Sequence, residues 1–314
     1  MDDLVHSYHN DAEYEKTVAW IQEEFNKYED LGPLSEIFNA EVTQTPGHIT
    51  LTQSRFIDRL TELYPVSATA STPADEDLLQ LVTAAKKQEG AIDPELRQRY
   101  RGLVGALLYL SVVCRPDISL AVSMLSRALE TPTEDLWRAA RRVLMYLAGT
   151  RELGIRWTVG GSAVLTGMVD ADWATVRSTT GYCYWLADAV VAYLAKGQPT
   201  IALSSTEAEI MAACLAALEA VFTRGLLKDV GLPQLAATPL GIDNKGALAL
   251  AHDYVSNNKT KHIERRHLRI RELVEDGTVA PEYVPTEDNV ADILTKPLGR
   301  RRFEKLRRKL LNHA

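Results

Sequence analysis

The chain has 314 residues, of which 46% are hydrophobic and 25% charged, with a net charge of −7. That is the composition of an ordinary globular protein, long enough for a sizeable core and for more than one domain. Three scattered cysteines, Cys114, Cys183 and Cys214, argue against a disulfide framework and a zinc site, and for a reducing intracellular setting, cytoplasmic or nuclear. No apolar run reaches the ~18 residues of a membrane span. The first residues do not read as a signal peptide, so no membrane partner is expected.

In chain order, residues 11–29 place Val18, Ile21, Phe25 and Tyr28 at helical spacing. Gly32-Pro33 ends that pattern. Residues 37–43 and 48–51 flank Pro46-Gly47 as a hairpin, and a helix is predicted over 53–64. Residues 65–92, rich in Ser, Thr, Ala, Asp and Pro, read as a linker or surface excursion. Three helices follow, over 94–112, 115–129 and 131–147, the second with Pro116 in its first turn and the third stopped at Gly149. A domain boundary is placed near 156–162.

Beyond it the pattern changes. Residues 164–169, 181–186 and 190–194 predict an antiparallel meander, and 205–228 a helix ended by Gly231 and Pro233. A strand over 239–242, helices over 245–251 and 261–275, a strand over 280–284 and a helix from about 287 complete the order. This is an α/β layer with a mixed sheet. Although the chain is acidic, residues 296–309 hold eight Lys or Arg and one Glu, a possible phosphate contact or a solvated amphipathic helix.

Four stretches carry acids where a hydrolytic metal site would need them: Asp170-Ala171-Asp172-Trp173, Ser204-Ser205-Thr206-Glu207-Ala208-Glu209, Asp243-Asn244 and Asp288-Asn289-Val290-Ala291-Asp292. Asp170 and Asp243 end predicted strands, where sites of open α/β sheets form. Glu209 falls in the first turn of its helix and Asp292 early in the last one. Two divalent cations ~4 Å apart can activate a water and stabilise the leaving oxygen of a phosphodiester, and Mg²⁺ prefers oxygen ligands. Each acid has an ordinary explanation too. Glu207 completes a capping box with Ser204, and Glu209 could do so with Thr206. Asp172 fits a turn, Asp243 a helix cap and Asp292 a solvated helix. The set of four, in this order, is more specific than its members.

These residues carry a resemblance. The second half resembles the ribonuclease H domain of copia-type retrotransposon Pol polyproteins. The resemblance rests on Asp170-Ala171-Asp172-Trp173, Arg177-Ser178-Thr179-Thr180-Gly181-Tyr182, and residues 198–209 ending in Ser204-Ser205-Thr206-Glu207-Ala208-Glu209. Asp243-Asn244, Thr260-Lys261-His262-Ile263, residues 283–288 and Ala291-Asp292-Ile293-Leu294-Thr295-Lys296-Pro297-Leu298 extend it. The first half is similar to the end of that polyprotein's reverse transcriptase, in Asp30-Leu31-Gly32-Pro33-Leu34, residues 100–110, Arg115-Pro116-Asp117-Ile118 and residues 140–150.

The resemblance implies a ribonuclease H-like mixed five-stranded sheet with helices over 159–314. A partial reverse-transcriptase palm over 1–65 and a linker with a helical thumb or connection region over 66–158 would precede it. It implies Asp170, Glu209, Asp243 and Asp292 as catalytic metal ligands, two Mg²⁺ ions with Mn²⁺ as a substitute, and hydrolysis of the RNA strand of an RNA–DNA hybrid. Other Pol or Gag products are further partners it suggests. Met1-Asp2-Asp3-Leu4 looks like the tail of the polymerase Tyr-x-Asp-Asp motif; two aspartates alone cannot complete a polymerase site, so polymerase activity is not expected, unless Met1 is not the true start. The segment between Trp173 and Arg177 is shorter than usual. Pro285-Thr286-Glu287-Asp288 stands where many ribonucleases H carry a histidine. His262 and His267, with Arg265, Arg266, Arg269 and Arg271, form either a phosphate-binding face or a solvated basic helix. Trp185 and Tyr193 read as core residues. Two other readings stay open: an inactive remnant that binds nucleic acid without cleaving it, and a host-adopted interaction module.

Overall fold

The computed structural model describes residues 5–8, 10–25, 29–88, 90–173, 177–252 and 269–313. The expectations placed on Met1–Leu4, on Tyr28, on the short segment after Trp173, and on His262, Arg265, Arg266 and His267 lie outside them.

Helix α1 (Asp11–Glu24) starts where the Asn10 side chain accepts the Glu13 N–H, and of its predicted apolar face only Ile21 is buried. Trp20 and Phe25 are exposed. Strands β1 (Glu36–Ile37), β2 (Ala40–Gln44) and β3 (His48–Thr52) follow. The strand predicted over 37–43 is broken by a two-residue turn at Phe38 and Asn39, both at φ 51°. Phe gives no sequence signal for that left-handed conformation. Helix α2 (Ser54–Leu63) buries Ile57 and Leu60.

The segment predicted as linker contains helix α3 (Leu78–Ala85), which buries Leu78, Val82 and Ala85. Its one apolar stripe is too short to stand out from its polar surroundings, and docking on the core supplies its stability. Helices α4 (Pro94–Val113), α5 (Ser119–Leu125, after a 3-10 turn over Pro116–Ile118) and α6 (Glu134–Gly149, capped by Thr133) form the helical block.

Strand β4 (Ile155–Thr158), unmarked in the sequence, pairs antiparallel with β3 and closes a sheet in the order β1-β2-β3-β4. A Cβ at Gly154 would lie 1.9 Å from the Leu51 carbonyl oxygen, so only glycine lets the chain enter that pairing.

The second sheet comprises β5 (Thr166–Asp172), β6 (Thr179–Leu186), β7 (Ala189–Gly197), β8 (Thr238–Ile242) and β9 (Val279–Tyr283), in the order β7-β6-β5-β8-β9. Strands β5, β6 and β7 are antiparallel, whereas β8 and β9 run parallel to β5. The ribonuclease H-like arrangement expected from the sequence, a mixed five-stranded sheet with helices, is the architecture of this half.

Helix α7 (Ser205–Asp229) lies on one face, with α8 (Lys245–His252) and α9 (Arg269–Glu275) beside it. Ala208, Ala212, Ala216 and Ala220 are fully buried, and their small size lets α7 approach the strands closely. By length and apolar composition α7 could cross a membrane, yet it packs on the sheet and carries the buried Glu207 and Glu209.

Side chains alternate along β6. Tyr182 and Tyr184 face α7, while Cys183 joins the core of the helical block. Trp185 and Tyr193 pack against that block, Tyr193 donating its hydroxyl to the Val112 carbonyl at 2.8 Å.

The end of the chain departs from expectation. Instead of one helix from about 287, two 3-10 turns span Thr286–Asp288 and Val290–Leu294, and helix α10 begins later, at Arg300–Leu311. Phe303, Leu306, Leu310 and Leu311 of α10 enter the helical block's core. Most of its cations have protein partners. Arg300 pairs with Glu304, Arg302 with Asp292, Lys305 and Lys309 with Asp288, and Arg307 donates to the Tyr146 hydroxyl. The basic run is thus chiefly a docked amphipathic helix, with Arg301 and Arg308 exposed.

Candidate active site

Val169 and Ile242 are register partners on the adjacent parallel strands β5 and β8. The next residue on each is Asp170 and Asp243, so both carboxylates arise at the same level of the sheet. Glu209, the fifth residue of α7 rather than in its first turn, reaches the same place from above. Oxygens of Asp170, Glu209 and Asp243 all lie within 4.8 Å of one another. Asp170 and Glu209 are buried and Asp243 is half-buried.

Neighbouring residues do the structural work these acids could have done. Ser204 accepts the Glu207 N–H at 3.1 Å and Glu207 accepts the Leu203 N–H at 2.6 Å, which leaves Glu209 out of the cap. Asn244 accepts the Ala247 N–H at 2.9 Å, so Asn244 caps α8 and Asp243 does not. Gln198 ties β6 to the start of α7 by donating to Thr180 at 3.1 Å and to the Ala208 carbonyl at 2.8 Å.

Asp292 sits in the 3-10 turn Val290–Leu294, fully buried, and not in the last helix. The Lys296 ammonium is 2.7 Å from Asp292 and 3.6 Å from Asp170, so one lysine bridges Asp292 to Asp170. Arg302 holds the second Asp292 oxygen. The turn is pinned to the sheet by Asn289, which donates to the Val169 carbonyl at 2.9 Å and accepts the Ala291 N–H at 3.1 Å. The Thr295 hydroxyl donates to Asp170.

Gly181, the register partner of Asp170, makes room for the turn: a Cβ there would lie 2.7 Å from Thr295 and 2.8 Å from Leu294. Asn289, Thr295, Lys296 and Arg302 were not singled out as site residues from sequence. Their only signal was membership of matching or basic stretches.

The electrostatics are unbalanced. Burial, and then the nearby Asp292 and Asp243, push Asp170 up to about 7, against the opposing Lys296 and Thr295. Burial, and then Asp170 and Asp243, push Glu209 up to about 9. Burial also raises Asp172 at the end of β5. Burial depresses Lys296, but Asp170 and Asp292 outweigh it and hold the ammonium above its ordinary value. Glu209 Oε2 is buried without a hydrogen-bond donor. An all-oxygen donor set with an orphaned carboxylate oxygen fits a hard divalent cation.

No family model matches the chain. It is 33% identical over 320 residues to the retrovirus-related Pol polyprotein from transposon RE2 of Arabidopsis thaliana, covering 99% of this chain and 21% of that protein. It is 32% identical over 287 residues to the corresponding polyprotein from transposon TNT 1-94 of Nicotiana tabacum, covering 88% and 21%. An uncharacterised mitochondrial protein of Arabidopsis thaliana, AtMg00810, is 33% identical over 196 residues, 60% of this chain and 78% of that protein. The chain spans about a fifth of the length of the Pol polyproteins it matches. It belongs to the family of retrovirus-related Pol polyproteins of plant copia-type transposons.

Proposed function

We propose that this chain is a metal-dependent ribonuclease H, hydrolysing the RNA strand of RNA–DNA hybrids and leaving 5′-phosphate and 3′-hydroxyl ends. The observation that carries the reading is the convergence of Asp170 from within β5, Asp243 from just beyond β8 and Glu209 from α7 into a largely buried site with too few cations. Such crowding costs stability unless a ligand compensates it.

Asp170, Glu209 and Asp243 would hold the divalent cation, with Asp292 beside them for a second. Bound Mg²⁺ or Mn²⁺ supplies a nucleophilic water at neutral pH and offsets charge on the leaving oxygen. The chain's own residues prepare the place. Thr295 orients Asp170, Asn289 fixes the Asp292 turn on β5, and Asn244 frees Asp243 by taking over the helix cap. Trp173 is half-exposed at the end of β5, its indole N–H bonded to the Ala202 carbonyl at 3.1 Å, and offers a surface beside the site. The exposed Arg301 and Arg308 offer phosphate contacts, and the 2′-hydroxyl distinguishes the strand to be cut.

The test is a labelled RNA–DNA hybrid in Mg²⁺, with wild type and Asp243→Asn compared. RNA-strand cleavage that the substitution removes supports the reading. A folded wild type that binds the hybrid in a salt-sensitive way, yet leaves it intact in Mg²⁺ and Mn²⁺, is an inactive remnant instead.

A further inference from the structure

Asp292 differs from the other three acids in having its charge already matched. Both its oxygens meet cations of the protein, Lys296 at 2.7 Å and Arg302. Among the described residues, no Lys or Arg forms an ion pair with Glu209 or Asp243. The metal-free site is therefore two unlike halves: a three-carboxylate cluster short of positive charge, and an Asp292 arm closed by its own counter-cations.

We propose that Lys296 is an internal counter-cation that must leave Asp292 before that carboxylate can take a second divalent ion, so that the chain loads its metals in two unequal steps. This rests on the ribonuclease H reading of the site.

The geometry separates what is fixed from what can move. The main-chain N–H groups of Thr295 and Lys296 both donate to the Asp292 carbonyl at 3.2 Å, which locks the backbone one turn beyond the acid. Arg302 is carried by α10, whose apolar face is in the core. The Arg302 side chain, though 37% exposed, is held a second time by the Thr286 carbonyl at 2.8 Å, whereas Lys296 hangs from a turn end on a flexible four-carbon stem, 31% exposed, with only the two acids as side-chain partners among the described residues. It can reach solvent by rotating side-chain bonds alone. The three-carboxylate cluster can accept an ion while Lys296 stays on Asp292, since the ammonium stands off Asp170 by 3.6 Å. Engaging Asp292 breaks a direct, largely buried ion pair, and that step opposes binding.

The decisive experiment counts Mn²⁺ ions on the full chain by titration calorimetry and by electron paramagnetic resonance of free Mn²⁺, for wild type, Lys296→Met and Lys296→Arg. Wild type should bind a first ion at least ~10-fold more tightly than a second. Lys296→Met should tighten the second step by ~10-fold or more with a smaller effect on the first, and Lys296→Arg should keep two unequal steps. A second step equally weak in folded Lys296→Met, or weaker, overturns the proposal while leaving the metal site itself intact. Absence of any bound ion in wild type and variants overturns both. A nitrogen-15 signal of the wild-type Lys296 ammonium, followed through a Mg²⁺ titration, is independent of whether variants fold. It should move with the second equivalent, and an unmoved signal contradicts the proposal.

Discussion

Among the described residues, two charge clusters in the interior are built on opposite plans. In the helical block, Arg115 and Asp117 are fully buried and joined by two hydrogen bonds, Nε to Oδ1 at 2.9 Å and Nη2 to Oδ2 at 2.8 Å. Thr150 accepts from Arg115 through its carbonyl and its hydroxyl, and Tyr146 donates to Asp117. Burial opposes the Asp117 charge, but Arg115 and Tyr146 overcome it and hold the carboxyl below its ordinary value. In the second sheet, Asp170 and Glu209 are pushed the other way, to about 7 and about 9. One cluster closes on itself and has nothing to offer a ligand. The other keeps negative charge in reserve. The comparison separates a fully buried ion pair satisfied within the fold from an acid cluster left short of positive charge, in which Asp170 and Glu209 are buried and Asp243 is half-buried.

Substitutions should break the two clusters in opposite ways. Asp170→Asn is expected to lower hybrid cleavage by ~10³-fold or more, several kcal/mol of lost charge stabilisation, while the protein still melts cooperatively. Arg115→Met should leave Asp117 buried and unpaired, at a cost of ~3–5 kcal/mol, or about 10 °C in Tm. Whatever folds should keep its cleavage rate per molecule. Loss of activity without loss of stability in Arg115→Met would erase the distinction.

Acidity should sharpen it. Asp170 and Glu209 have raised values, so in EDTA their contribution to stability is fully present below about pH 4 and is lost as pH rises through about 7 and about 9. Asp117 has a lowered value, so its contribution is present above its ordinary 3.8 and is lost as pH falls below that. The melting temperature in EDTA should therefore fall from pH 5 to 9, and Glu209→Gln should flatten that slope. An unchanged slope would mean that Glu209 is not held in deficit.

Smaller effects follow from how the acid cluster is framed. Gly181→Val should push the Asp292 turn off β6, costing ~1–3 kcal/mol and reducing cleavage while Asp170, Glu209 and Asp243 remain. Limited proteolysis should cut first in α1 and the segment before β1, where Ile21 is the one buried side chain of the helix. Equal resistance across residues 10–65 would contradict that. Helix α2 belongs to the resistant part, because Ile57 and Leu60 are in the core.

Sequence patterns made much of this legible where local rules applied. The stretches 164–169 and 239–242 marked two strands, and Ser204 with Glu207 marked the start of α7, so three acids could be placed near one another, although β5 runs two residues beyond Asp170 where the sequence suggested its end. Features set by distant partners were silent. Strand β4 exists because β3 lies beside it, α3 because a core receives Val82, and the turn at Phe38 because Ile37 and Ala40 pair. Asp292 was read into a helix because the acid and the basic run after it suit one. The 3-10 turn and the ion pairs to Lys296 and Arg302 depend on the sheet and on α10, which no local window contains. The same holds for the basic run itself, most of whose charge is matched within the protein.

The most direct test of the contrast is the melting temperature of wild type and Glu209→Gln at pH 8, in EDTA and in ~10 mM Mg²⁺. A site held in charge deficit should be stabilised by the ion in wild type, by roughly 1–2 kcal/mol for millimolar affinity, and Glu209→Gln should melt higher in EDTA and gain little from Mg²⁺. Wild type and variant responding alike, or not at all, would contradict it.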